Sequence, residues 1–333
     1  MARLRTVSPG TRGWTRRRSG RGFVYLDSDG TRLPAEEVER IRSLAIPPAW
    51  ENVWICPHPR GHIQAVGTDT AGRRQYLYHP DWRVKRDQMK FDRVLAAAAH
   101  LPAARRRVLV DLALADMPRE RAAATAVRLL DHGYFRIGSD AYTDANGSFG
   151  LTTLERQHVR RRGDVIVFTF VGKSGIEHRI EIDDELAMAA IDRLRKRKSA
   201  SKRLLAYQQQ RRWSDLDAAT VNAYLAELLH GEMTAKDFRT WHATVLAALA
   251  LATTPEKGDT KASRRRAVKA AVEEVAGYLG NTPTIAKNSY IDPRVLDLYE
   301  SGTTIAVDPS RYRSPERRQA AVEKAVLALL ASD

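Results

Sequence analysis

With 333 residues, of which 43% are hydrophobic, the chain can form about two domains with sizeable cores, which excludes wholesale disorder. Its single cysteine excludes an internal disulfide and any zinc site built on several cysteines. The 55 lysines and arginines outnumber the 40 acidic residues and give a net charge of +15, which favours polyanionic partners. No apolar run is long enough to span a membrane and the N-terminus does not resemble a secretory signal, so we expect a cytoplasmic protein that binds nucleic acid.

The first 90 residues predict a basic arm followed by a β-rich domain. Residues 1–22 are rich in arginine and contain no acidic residue, which predicts a flexible arm. Residues 23–90 begin with short alternating segments separated by turn-forming residues, which are typical of strands. The predicted elements of this domain are strands at 23–26, 53–56, 62–68 and 74–78 and a helix at 35–44.

Residues 91–333 predict a mainly helical domain, because apolar residues recur at helical spacing after Pro80. The predicted helices lie at 82–100, 103–114, 119–132, 183–198, 215–230, 235–252, 264–279 and 314–331. One β-hairpin interrupts them, in which Val165–Val171 pairs with a return strand whose apolar face carries Ile176, His178, Ile180 and Ile182. The fold class is therefore α+β.

Two local patterns do not support the cofactor sites that they suggest. Gly172–Ser174 lacks the glycine five residues earlier and the following helix that a phosphate-binding loop requires, so no ATP site is predicted. Cys56, His58 and His62 lie close together, but prolines separate them and a fourth ligand is missing, so no metal site is predicted. What remains is Lys173 at the tip of a tight hairpin, from which an amine can reach into a groove.

A helix start and a helix junction stand out in the second half of the chain. Thr234–Asp237 approximates a capping box, which places Arg239 in the first turns of a helix whose N-terminus favours anions. Gly280 ends a long helix, and Thr282–Pro283 begins a short one. Because another helix starts at Asp292, Tyr290 is predicted at a junction, where its phenol can face outward.

Taken together, four segments resemble the type IB DNA topoisomerases in the compact, poxvirus-like form found in bacteria. They are Phe135–Ser139 followed by Gly150–Leu154, then Gly172–Gly175, Lys236–Trp241 and the run from Thr282 to Tyr290. The resemblance implies a bilobed clamp around duplex DNA, with a small β-rich domain and a larger helical domain that has the catalytic fold shared by tyrosine recombinases and type IB topoisomerases.

The resemblance also implies the residues of the site. The catalytic residues would be Arg136, Lys173, Arg239, Asn281 and Tyr290. Many family members carry a histidine where this chain has Asn281, and an asparagine can still donate a hydrogen bond to a phosphoryl oxygen although it cannot act as an acid. The DNA-binding residues would be Gln75, Tyr76, Tyr78, Gly138, Tyr142 and Lys287.

These residue types suit phosphodiester transfer. Two arginines offer planar forks of donors to phosphate oxygens, a tyrosine can form a covalent intermediate, and a lysine can protonate the leaving 5′-oxygen. The expected protein is a monomeric, nucleoid-associated DNA topoisomerase. It would relax supercoiled duplex DNA through a 3′-phosphotyrosyl intermediate, strand rotation and religation, with no cofactor, metal or ATP.

Three alternatives remain at this point. A tyrosine site-specific recombinase uses a similar tyrosine and arginine set, but usually has a histidine where this chain has Lys236 and a helical N-terminal half. A non-catalytic DNA-binding protein would use the net charge alone, and Tyr290→Phe would then change none of its DNA activities. The same chemistry could also act on a strand that contains ribonucleotides.

Overall fold

The computed structural model describes residues 3–140, 143, 147–231, 233–256 and 258–331. The chain divides after Lys90 into two compact units, here called the N-terminal unit and the C-terminal unit. Each unit has its own hydrophobic core. Among the described residues, none of the helices combines the length and the apolar character needed to cross a bilayer.

The N-terminal unit is built on a five-stranded antiparallel sheet with the strand order β2-β1-β3-β4-β5. Its elements are β1 (Trp14–Ser19), β2 (Gly22–Leu26), α1 (Ala35–Ser43), β3 (Glu51–Ile55), β4 (Ile63–Thr68) and β5 (Arg74–Tyr78). Its core consists of Ile41 on α1 together with Ile46, Val53, Ile55 and Ala65. Strand β5 lies at one edge of the sheet, so among the described residues one side of its backbone has no partner strand.

The prediction of a flexible arm over residues 1–22 is wrong for Trp14–Ser19, which form β1 between β2 and β3. The run of arginines indicated solvated charge, but strand alternation turns Arg16 inward, where it donates hydrogen bonds to three carbonyls within residues 46–50. Its guanidinium also lies 4.1 Å from the centre of the Phe23 ring. Satisfied donors and an aromatic face therefore allow an arginine to serve as a strand residue.

The C-terminal unit is mainly helical, as predicted. The division between the units falls within its first helix, α2. The helices are α2 (Pro80–Ala98), α3 (Leu101–Leu112), α4 (Arg119–Gly133), α5 (Glu185–Lys196), α6 (Ala218–Leu228), α7 (Ala235–Ala252), α8 (Lys261–Leu279), α9 (Pro283–Ser289), α10 (Pro293–Glu300) and α11 (Pro315–Ala331). Its strands are β6 (Val159–Arg162), β7 (Val165–Val171) and β8 (Glu177–Ile182) in one antiparallel sheet, and β9 (Ala206–Gln209) and β10 (Arg212–Asp215) in another. The α+β fold class is confirmed.

Helix α4 lies at the centre of this unit and leads into the site. Residues 122–131 are all buried, and they pack against α3, α5, α6 and α7. Several of them are alanines, whose small side chains let neighbouring helices approach closely. The helix ends at Tyr134, in the left-handed region with φ 54°, and the ring of Phe135 then packs against those of Phe168 and Phe170 on β7. This packing fixes the backbone that carries Arg136.

Candidate active site

Arg136 is held against the end of α8. One of its terminal nitrogens, Nη2, donates to Oδ1 of Asn281 at 2.6 Å and to the carbonyl of Gly280 at 3.3 Å. The backbone carbonyl of Arg136 accepts from the N–H of Leu151 at 2.7 Å. The guanidinium and the backbone of Arg136 are therefore both placed before a substrate binds.

Arg239 is anchored more deeply, with a 3% exposed side chain. Its terminal nitrogens donate to the carbonyls of Tyr134 and Leu279, the latter at 2.7 Å, whereas its buried Nε has no partner among the described residues. Burial, followed by the charge of Arg136, lowers the pKa of Arg239 to about 10, although Tyr290 opposes this shift. The guanidinium therefore remains charged at neutral pH, and its Nε–H has no partner among the described residues.

The start of α7 orients Arg239 in the way the sequence predicts. The N–H and the hydroxyl of Thr234 both donate to Oδ2 of Asp237, at 3.0 and 2.8 Å, and complete a capping box. Arg239 follows in the first turns of this helix.

Tyr290 lies at the end of α9, half-buried, with its ring 5.3 Å from the Arg239 guanidinium carbon. Thr282 caps the start of α9 by accepting from the N–H of Ile285. On the other side, the hydroxyl of Thr244 on α7 accepts from the N–H of Asp292 at 3.0 Å, and it lies 2.9 Å from the carbonyl of Thr240 and 3.4 Å from that of Tyr290, to which it can donate in turn. Tyr290 is thus attached to the same helix that carries Arg239.

Asn281 follows the end of α8 and pairs with Arg136. Its side-chain oxygen accepts from Arg136, while its buried Nδ2 has no partner among the residues that the structure describes. An unpaired buried donor costs free energy, so this amide is suited to an acceptor supplied by a ligand, such as a phosphate oxygen.

Lys173 is exposed at the tip of the β7–β8 hairpin. The turn is closed by the N–H of Gly172, which donates to the carbonyl of Ile176 at 2.8 Å, and Ser174 adopts the left-handed region with φ 66°. The hydrogen bonds and ring contacts described above join the other four predicted residues into one cluster. Lys173 belongs to a separate hairpin beside them.

His178 is not among the residues that the sequence predicts for the site, yet it lies within reach of the charges of Arg136 and Arg239. Burial, followed by the charges of Arg136 and Arg239, lowers the pKa of its imidazole. Its polar ring among the isoleucines on the apolar face of the hairpin was the signal that could have identified it.

In the N-terminal unit, the predicted DNA-binding tyrosines on the edge strand β5 form an aromatic and basic row with Arg74 of the same strand and Arg86 of α2. The rings of Tyr76 and Tyr78 stack with centroids 6.0 Å apart. The guanidinium carbon of Arg74 lies 5.8 Å from the Tyr76 ring, and that of Arg86 lies 5.3 Å from the Tyr78 ring. We call these four residues the tyrosine–arginine row.

The other predicted DNA contacts have different surroundings. The Gln75 amide donates to Oδ2 of Asp69 at 2.9 Å, and Lys287 is exposed on α9. Gly138, with φ 87°, packs so closely on Gly150 that a Cβ on Gly150 would lie 2.4 Å from its Cα, so it has a structural role of its own. Tyr142 lies outside the described residues.

No group of three or more histidine, cysteine, aspartate or glutamate side chains gathers as a metal site in the part of the chain that the structure describes.

Comparisons with known proteins agree with this geometry. Residues 79–304 match the family model for the eukaryotic DNA topoisomerase I catalytic core, and residues 22–69 match that for the bacterial DNA topoisomerase IB N-terminal domain. DNA topoisomerase 1B of Acanthamoeba polyphaga mimivirus is 29% identical over 304 residues, covering 88% of this chain and 89% of the relative. DNA topoisomerase 1B of vaccinia virus is 23% identical over 249 residues, covering 70% and 71% of the two chains.

DNA topoisomerase 1 beta of Arabidopsis thaliana is 26% identical over 204 residues, which are 61% of this chain but 21% of the plant protein. The match to the catalytic core covers more than half of the chain and includes the whole arginine, asparagine and tyrosine cluster. The resemblance seen in the sequence is confirmed, and the chain belongs to the type IB DNA topoisomerase family.

Proposed function

We propose that this protein relaxes supercoiled duplex DNA by transient cleavage of one strand, with Tyr290 as the nucleophile. The observation that carries the proposal is the cluster at the α8–α9 junction, where Arg136 bonds to Asn281 and Arg239 covers the Tyr290 ring. Two fixed guanidinium groups and a phenol in one place suit in-line attack on a phosphodiester.

In the proposed cleavage step, the phenol of Tyr290, which is half-buried and not sealed from solvent, gives its proton to water as its oxygen attacks phosphorus. The new phosphorus–oxygen bond gives a 3′-phosphotyrosyl adduct, while the bond to the 5′-oxygen breaks. That oxygen takes a proton from Lys173 and leaves as a hydroxyl. Religation is the reverse, and rotation of the free 5′ end about the intact strand between the two steps relaxes the DNA.

The remaining donors stabilise the charge that develops on the phosphate. The nonbridging oxygens would accept hydrogen bonds from Arg136, from Nε of Arg239 and from Nδ2 of Asn281. Nε of Arg239 and Nδ2 of Asn281 have no partner among the described residues, which supports this role. Preorganised donors of this kind contribute about 10²–10³ in rate each.

Further assignments complete the proposal. The tyrosine–arginine row of residues 23–90 contacts the duplex, together with Gln75, Gly138, Tyr142 and Lys287, whereas residues 91–333 carry the chemistry. The protein works as a monomer, associates with the nucleoid, and uses the torsional strain of the DNA in place of ATP, metal or another cofactor.

The decisive experiment is relaxation of positively and negatively supercoiled plasmid in EDTA without ATP, comparing wild type with Tyr290→Phe. Tyr312→Phe, which lies outside the cluster, is the matched control for loss of a phenolic hydroxyl. The proposal is supported if wild type and Tyr312→Phe relax the plasmid and Tyr290→Phe does not. Relaxation by Tyr290→Phe contradicts the nucleophile, and DNA binding without relaxation by any of the three contradicts the activity.

A further inference from the structure

The imidazole of His178 lies between the two glycines that precede Lys173 and Asn281 in the chain. A Cβ built on Gly172 would lie 2.6 Å from Cδ2 of the ring, and one built on Gly280 would lie 2.5 Å from Cε1. Atoms in a close-packed interior do not approach so closely. The ring therefore fills the space that a side chain at either glycine would need.

The backbone alone explains a glycine at only one of these positions. Gly280 ends α8 in the left-handed region with φ 58°, which favours glycine by itself. Gly172 has φ −95°, a conformation that any residue adopts. Gly172 therefore lacks a side chain because the ring of His178 occupies the space. Mutations at these two residues can test this contact without a change in backbone strain.

The two glycines belong to the two halves of the proposed site. Gly172 closes the hairpin turn that presents Lys173, and the carbonyl of Gly280 accepts from Nη2 of Arg136 at 3.3 Å. We propose that His178 is a positioning residue, whose ring sets the distance between the lysine hairpin and the arginine cluster. This inference rests on the proposed function, since it assigns a role in placing the general acid.

The surroundings of the ring favour its neutral form. The charged groups that act on His178 are Arg136, from the segment after α4, and Arg239, from α7. Strand β7 contributes Phe170, stacked at 5.2 Å with an interplanar angle of 24°, and the end of α8 contributes Gly280, neither of which carries charge. A protonated ring would add a third positive charge here, so His178 acts through its shape.

A double-mutant cycle tests the placement directly. Single-turnover cleavage of a saturating duplex substrate is measured for Gly172→Ala, His178→Ala and the double variant. We expect each single change to slow cleavage about tenfold or more, because a shift of roughly 1 Å at a reacting group can cost that much. The double variant should be no slower than His178→Ala, since removal of the ring makes room for the new Cβ.

Two outcomes of this cycle contradict the inference: a wild-type cleavage rate in His178→Ala, and single effects that multiply in the double variant. Gly277→Ala on α8, where a Cβ meets open space, is the control and should cleave at the wild-type rate. DNA affinity and the far-UV circular dichroism spectrum should stay unchanged in all variants, which separates a positioning effect from a folding defect.

A ring-preserving variant distinguishes shape from proton transfer. His178→Phe should cleave within about threefold of wild type, and it should lack the decline in rate that protonation of His178 causes in the wild type at acidic pH, below the ordinary imidazole range because the pKa of this ring is lowered. If His178→Phe is as slow as His178→Ala, the ring nitrogens are essential and the inference is wrong.

The activity of the wild type separates this inference from the proposed function. A wild-type protein that does not relax DNA overturns both. A wild type that relaxes DNA, together with an equally fast His178→Ala, overturns only the role of His178.

Discussion

The Arg239 guanidinium lies over the ring of Tyr290 with both of its terminal nitrogens bound to backbone carbonyls. Each terminal nitrogen thus uses one N–H to hold the side chain in place, and Nε has no partner among the described residues. This arrangement makes the geometry of the guanidinium, and not only its charge, necessary for the site.

Arg239→Lys should therefore fail nearly as badly as Arg239→Ala. A lysine keeps the charge and has three donors, but they all sit on one nitrogen, which cannot occupy the separate positions from which Nη1 and Nη2 bond the two carbonyls and Nε is to donate to the phosphate. We expect both variants to slow single-turnover cleavage by about 10²–10³ with little change in DNA affinity. Arg265→Lys, an exposed exchange on α8, is the control. A near wild-type rate for Arg239→Lys would show that charge alone suffices.

Lys173→Ala should slow cleavage by about 10²–10⁴ if this lysine protonates the leaving oxygen. A substrate with a 5′-bridging phosphorothiolate should restore the rate, because a thiolate leaves without a proton. The measurement is single-turnover cleavage of both substrates, with Lys269→Ala as the control for loss of an exposed lysine. If the sulfur substrate is cleaved as slowly as the ordinary one, Lys173 is not the acid.

The sequence indicated the proposed catalytic residues but not the contacts that orient them. Cap signals at Thr234, Gly280 and Thr282 predicted the helix boundaries correctly, because capping depends on neighbouring residues. The bonds from Arg136 to Asn281 and from Arg239 to Leu279 join segments far apart in the chain, so no local pattern indicates them. His178 was not predicted as a site residue for the same reason, because its contact with Gly280 also joins distant parts of the chain.

The strands that were not predicted share a different cause. Strands β1 and β6 contain consecutive arginines, and β9 is short and polar, so none shows the alternation of apolar and polar residues that identifies a strand. These strands are stabilised by hydrogen bonds to neighbouring strands, and the pairing depends on the tertiary structure, so the local sequence does not reveal it.

The tyrosine–arginine row makes separate predictions for its aromatic and basic members. Tyr76→Ala should weaken noncovalent DNA binding several-fold to about tenfold at every salt concentration, because it removes a flat contact surface. Arg86→Ala should instead reduce the slope of log affinity against log salt by about one, since one phosphate contact is lost. Binding is measured in a Tyr290→Phe background to prevent cleavage. Unchanged affinity for both variants would remove the row from the DNA-binding surface.

A buried ion network that joins α3, α4 and α11 predicts how the stability of the C-terminal unit depends on pH. Arg105 on α3 bonds to Asp131 on α4 at 2.7 and 2.8 Å and to Glu323 on α11 at 2.6 and 2.8 Å. Burial raises the pKa of Asp131, but the charge and hydrogen bonds of Arg105 outweigh it and lower the pKa to about 2. The Trp241 indole, two residues after Arg239, also donates to Glu323.

Because the folded pKa of Asp131 lies below the unfolded value of about 3.9, its contribution to stability is complete above that value. It is lost as the pH falls from about 4 towards 2, and it amounts to roughly 2–3 kcal/mol. Urea unfolding should therefore show Asp131→Asn to be less stable than wild type at pH 7, with a difference that narrows at pH 3. Asp116→Asn, from the exposed pair with Arg193, should follow the wild-type pH dependence. A constant difference between Asp131→Asn and wild type from pH 7 to pH 3 would contradict the lowered pKa.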